Sequence, residues 1–209
     1  MTYTTYTESN KTNPTPTKTW GGYQKLASYQ TTEIIYDLTV EFCRKFVGYT
    51  THTTYKSYKT YSRTQDQMVQ AARSGKQNIA EGSVASQTSK KTEIKLMGVA
   101  RASITELLED FKDFLRQEGL KLWEKDDPRV LEIRKLAYKT DKSYTTYKTY
   151  TESKESAANC GVCLCNQACY LLDKQIRVLE EQFLKEGGYT ENLFKKRVGV
   201  RRNRVGIDN

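Results

Sequence analysis

Thiols, carboxylates and cations are the residues of this chain with chemistry to offer, and their spacing decides which chemistry. Five cysteines are present, and four of them (Cys160, Cys163, Cys165, Cys169) fall within ten residues. Such density invites a metal site. On a continuous helix, however, Cys160 and Cys163 lie about 60° apart, while Cys165 and Cys169 point about 140° to 180° away from Cys160. Four thiolates so arranged do not converge on one tetrahedral ion, so the expectation is reduced thiols used as small core residues, with no metal and no cofactor. A single histidine, His52, leaves imidazole acid–base catalysis almost nothing to work with. Glu81 and Glu106 would be the carboxylate pair of an enzyme, but the Glu-x-x-His pairs of a di-iron bundle are missing. No catalytic residue is assigned, and the expectation is a protein that is not an enzyme.

Cations are the stronger signal. Thirty-four Lys and Arg against 25 Asp and Glu give a formal charge of +9. Lys195, Lys196, Arg197, Arg201, Arg202 and Arg204 supply six positive charges in ten residues. Together with Lys90, Lys91 and Lys95 they form the candidate nucleic-acid-binding set, and six phosphate contacts on duplex DNA would give a log–log salt slope of about −5. RNA or DNA is therefore an expected partner.

Three tracts of Thr and Tyr repeat every third residue: TYTTYTES near the start, YTTHTTYKSYKTYS from Tyr49 to Ser62, and KSYTTYKTYTES from Lys142 to Ser153. They carry almost no aliphatic residue, and Thr is a poor helix former. They read as mobile inserts, at about 49–63 and 140–154, besides an N-terminal tract over 1–19. Tyr55, Lys56, Tyr58, Lys59 and Tyr61 offer the alternative of a base-stacking platform interleaved with cations.

The elements that must position these groups are helical. Apolar residues recur at three and four, predicting helices over Tyr23–Val47, Thr64–Glu81, about Ile94–Leu115 and Ser156–Glu186, with a short one from Pro128 through about Tyr138. The fold class is all-α: an antiparallel up-and-down four-helix bundle over 20–188, with a basic suffix over 189–209. Arg101 falls on the inner seam, and Asn78, Glu81, Ser103 and Glu106 are placed to meet it in a polar network between the second and third long helices. No run reaches the roughly 18 apolar residues of a membrane span, and Met1–Asn10 lacks the pattern of a secretory signal. The cytoplasm is expected, with no membrane partner.

MVQAARSGKQNIAEGS (Met68 to Ser83) and GVARASITELLEDFKDFL (Gly98 to Leu115) resemble the signature of the four-helix-bundle proteins named after 23S rRNA intervening sequences. That family includes the accessory variability determinant of diversity-generating retroelements. The segments Gly21 to Phe46 and Cys169 to Val198 are similar to the subgroup with a basic suffix. The resemblance implies a homo-oligomer, typically a homopentamer, that binds nucleic acid and, in the retroelement member, a reverse transcriptase. It also implies that Asn78, Glu81, Gly82, Ser103 and Glu106 are structural or subunit-contact residues. A protein-interaction scaffold of the same family, without nucleic acid, is the alternative.

Overall fold

The structure, a computed structural model, describes residues 22–47, 55–139 and 142–205, with the backbone alone for 55–62 and 203–205. His52 and the N-terminal tract lie outside the described residues, as do the side chains of the Tyr55–Tyr61 platform. The described residues form six α-helices: α1 Ala27–Phe42, α2 Tyr55–Ala85, α3 Lys90–Gln117, α4 Pro128–Leu136, α5 Lys154–Glu186 and α6 Tyr189–Val205. The described residues contain no strand.

The four-helix bundle is thereby corrected to a six-helix all-α fold. Of the two helices beyond the bundle, the short one from Pro128 is expected from the sequence and the one after Gly188 is not; both have local causes. Asp127 accepts from the Arg129 N–H and Pro128 opens the first turn, which starts α4. Gly187, at φ 72°, ends α5. The chain then restarts as a helix because the Gly188 N–H donates to the Glu191 carboxylate at 3.1 Å, so the suffix read as a tail is helical through Val205. Among the described residues, α6 shares no extended contact with another element.

α2 packs on α3, α3 on α5, and α1 on both α2 and α5. Their apolar stripes meet as their three–four spacing requires: Ile35, Leu38, Phe42, Met68, Ile79, Met97, Ile104, Phe111 and Leu172 are all buried. Small residues let α2 and α3 approach closely. A Cβ on Gly75 would lie 2.5 Å from Ile104 Cδ1, so a larger residue there requires the Ile104 side chain to shift.

The Thr/Tyr tracts depart most from expectation. α2 begins at Tyr55, inside the second tract, and Tyr144–Thr151 of the third forms a 3₁₀ helix. The reason is geometric. A 3₁₀ helix has three residues per turn, so a Tyr at every third position puts every ring on one side. Tyr147 is buried in the core, with Tyr144 and Tyr150 packed beside it, and Lys45 Nζ donates to the Thr151 carbonyl at 3.4 Å. The insert around 140–154 is, in its described part, a packed element and not a loose loop.

Candidate functional site

Of the basic residues singled out, Lys195, Lys196, Arg197, Arg201 and Arg202 are exposed on α6, and the Arg204 side chain lies outside the described residues. Lys91 and Lys95 are exposed at the start of α3, and Lys90 pairs with Glu93 at 3.2 Å. The polar network comes apart. Arg101 turns to α5, where its Nε and Nη2 both donate to the Asp173 carboxylate, the latter at 3.3 Å. Asn78 and Ser103 meet at Ser74: Asn78 Nδ2 donates to its carbonyl at 2.9 Å, and the two serine hydroxyls are 3.0 Å apart. Glu81 and Glu106 are exposed. Asp173 and Ser74 are the partners that sequence reasoning missed. Both are short polar residues inside amphipathic helices, where spacing alone does not separate them from ordinary solvent-facing positions.

The cysteines lie along an unbroken α5. Cys160, Cys163 and Cys165 are buried, as is Cys43 on the first helix's extension, while Cys169 is partly exposed beside Thr105 Oγ1 at 3.7 Å. Burial pushes the Cys43 thiol up to about 12 and that of Cys163 to about 11, and raises Cys160 and Cys165 further. Protonated, enclosed thiols are inert. A thiol reagent on the native protein is expected to modify Cys169 alone, and all five after denaturation; rapid native labelling of Cys160 would contradict this. The same shifts set an alkaline limit. A thiol whose folded pKa exceeds the ordinary 9.0 keeps its proton when the unfolded chain has lost it. Its contribution to stability is complete below about pH 9 and declines as pH rises through about 11 to 12. Urea midpoints measured from neutral to alkaline pH should fall in that window.

The structure also assembles a site that the sequence did not announce. A groove of about 940 Å³ runs along the outer face of α5, bounded by α4, the segment before it, and the starts of α1 and of the Tyr tract. Trp123, Val130, Val162 and Leu171 form its apolar floor. Trp123 is fixed on three sides: its N–H donates to Asn159 Oδ1 at 2.8 Å, its indole N–H to Glu155 at 3.0 Å, and the Arg129 guanidinium stacks 3.9 Å from its ring centre.

Five cations line this groove, Lys112, Lys125, Arg134, Lys142 and Lys174, and no carboxylate does so among the described residues. Among the described residues, Lys112 alone of the five has an acidic partner, Glu109, at 2.7 Å. Arg134 Nη1 donates to the Lys125 carbonyl at 3.1 Å and Lys142 Nζ to the Ala137 carbonyl at 2.7 Å. Lys174 sits over the Tyr170 ring at 4.7 Å. Desolvation lowers the Lys142 pKa, the signature of an ammonium held partly away from water without a counter-charge. Gln167 also lines the groove, with its Oε1 enclosed beneath the surface and without a hydrogen-bond partner. A wide, apolar, cation-rimmed concavity of this size is in the range of organic-ligand sites.

Among the described residues, no group of three or more His, Cys, Asp or Glu side chains is placed to hold a metal ion, and no helix is long and apolar enough to cross a membrane. Comparison of the chain with protein-family models, curated proteins and solved structures yields no match. The likeness to the intervening-sequence family is corrected on both grounds: no family model supports it, and six helices stand where that family has four. The accessory role implied by the retroelement member, together with the alternative of a scaffold of that family, falls with the likeness; the expectation of RNA or DNA rests on the cations and stands apart from it.

Proposed function

We propose that this protein is a binding protein, without catalysis of its own, whose α5 groove holds an elongated organic anion with an apolar body. The observation that carries the reading is the charge imbalance at one concave site: five cations, one of them neutralised by an acid, around an apolar floor. Opposite charges at partly exposed positions gain about 0.2 to 1 kcal/mol per pair, and the apolar floor adds about 25 cal/mol for each Å² it covers. A ligand that satisfies both is favoured over a purely charged or a purely apolar one. The enclosed, protonated cysteines support a binding role over nucleophilic chemistry, and five unpaired thiols suit a reducing compartment such as the cytosol.

Anilinonaphthalene sulfonate, an apolar anion whose fluorescence rises in apolar surroundings, tests this directly against its uncharged analogue phenylnaphthylamine. The sulfonate is expected to bind at a single site at about 0.15 M salt, to weaken as salt rises, and to lose most of its affinity in an Arg134→Gln, Lys142→Gln double variant whose helical spectrum is unchanged. Equal binding of the charged and neutral dyes, or an unaffected double variant, contradicts the proposal.

A further inference from the structure

Within that anion-binding reading, on which this step rests, we infer that the occupant of the groove is an extended acidic peptide segment of a partner protein, about five residues long, with acidic side chains at its two ends and apolar residues between.

The length comes from the register of α5. The Arg101–Asp173 pair and the contact between Thr105 and Cys169 show that α3 and α5 run antiparallel with residue numbers adding to a constant, which puts Lys112 level with Val162. Arg134 and Cys163 line the same groove. One cationic end of the groove is therefore at the level of residues 162–163, and Lys174 marks the other. At 1.5 Å per residue, the span from Cys163 to Lys174 is about 16 Å. An extended chain covers that distance in about five residues at about 3.3 Å each.

The occupant's chemistry comes from the placing of the charges: a fatty anion has one charged head for two separated cationic ends, whereas a peptide with an acidic side chain at each end meets both. The groove is open along one side, with Tyr138 89% and Tyr170 58% exposed at its edge, which admits a linear segment of a larger molecule from the side. Both rings are amphipathic, with a flat apolar face to cover such a segment.

The test uses acetyl-Glu-Leu-Thr-Leu-Glu-amide, its counterpart with Gln at both ends, and dodecanoate, each displacing anilinonaphthalene sulfonate from the full chain at about 0.15 M salt. The Glu peptide is expected to displace the dye and the Gln peptide to do so at least about fivefold less well, the equivalent of two screened ion pairs. Lys174→Gln should weaken the Glu peptide about two- to fivefold and the Gln peptide by less than about twofold, because the Gln ends make no ion pair for the replacement to remove. Displacement by dodecanoate but not by the Glu peptide overturns the peptide assignment while leaving an anion groove. Failure of both, with no dye bound, overturns the groove reading itself. Equal displacement by the Glu and Gln peptides also overturns the assignment.

Discussion

Phe111→Ala is expected to cost about 3 to 5 kcal/mol of folding stability, the range for deleting a fully buried aromatic ring. Phe111 is wholly buried on α3 and meets Phe42 edge-on, with ring centres 5.0 Å apart. Its other side rests on α5 at Gly161, where an added Cβ would come within 2.6 Å of the ring. The ring thus joins α1, α3 and α5 at one point. The surrounding backbone is helical on every side and has little freedom to collapse into the cavity. For a chain of this size each kcal/mol lowers the melting temperature by about 2 to 4 °C, so thermal unfolding followed by circular dichroism should drop by about 10 °C. The reverse change, filling the space from the other side with Gly161→Val, is expected to cost about 1 to 3 kcal/mol through overpacking. A Phe111→Ala protein that melts with the parent would show that the three helices do not meet there.

Tyr147→Ala is expected to cost about 3 kcal/mol and to damage the groove as well. A Tyr in a solvated low-complexity loop would be replaced within about 0.5 kcal/mol. Tyr147 is instead 1% exposed among core residues of α5 and the end of α1, and burial pushes its phenol up to about 12. The consequence for binding comes from position: Lys142 stands just ahead of this 3₁₀ helix and reaches the groove from it. Losing the Tyr147 anchor frees that approach, so the variant should bind anilinonaphthalene sulfonate several-fold more weakly even where it remains folded, with the fall in urea midpoint reporting the stability loss separately. A stability change within about 0.5 kcal/mol would contradict the packed tract.

These two residues show how far the sequence could be read. Phe111 is predicted as core from its three–four spacing on α3, and the helices it joins are legible from the same pattern. Tyr147 is not, because its tract repeats every third residue and lacks aliphatics. That composition suggests an unpacked insert, yet three is also the period of a 3₁₀ helix, which turns the repeat into an apolar stripe. α6 is not legible because two glycines end one helix without fixing the conformation of the next segment; it is Glu191, reaching back to the Gly188 N–H, that starts a new one. The family likeness rested on segments of α1, α2 and α3 and of α5 running into α6, and six helices stand where it implies four. The candidate site was invisible for a different reason. Its cations come from α3, the segment before α4, α4 itself, the Tyr tract and α5, each an ordinary surface Lys or Arg in its own window. The one dense cationic run in the sequence lies elsewhere, on α6.

That contrast supplies the most direct test of the central claim, that the anion site is the α5 groove. A proton–nitrogen correlation spectrum of the full chain should be titrated with anilinonaphthalene sulfonate at about 0.15 M salt. Saturating shifts are predicted at the Trp123 indole N–H and at the backbone amides of Arg134, Gln167 and Leu171, with small, unsaturated changes on α6. Shifts concentrated at Lys195 to Arg202, with the Trp123 signal unmoved, would contradict the account.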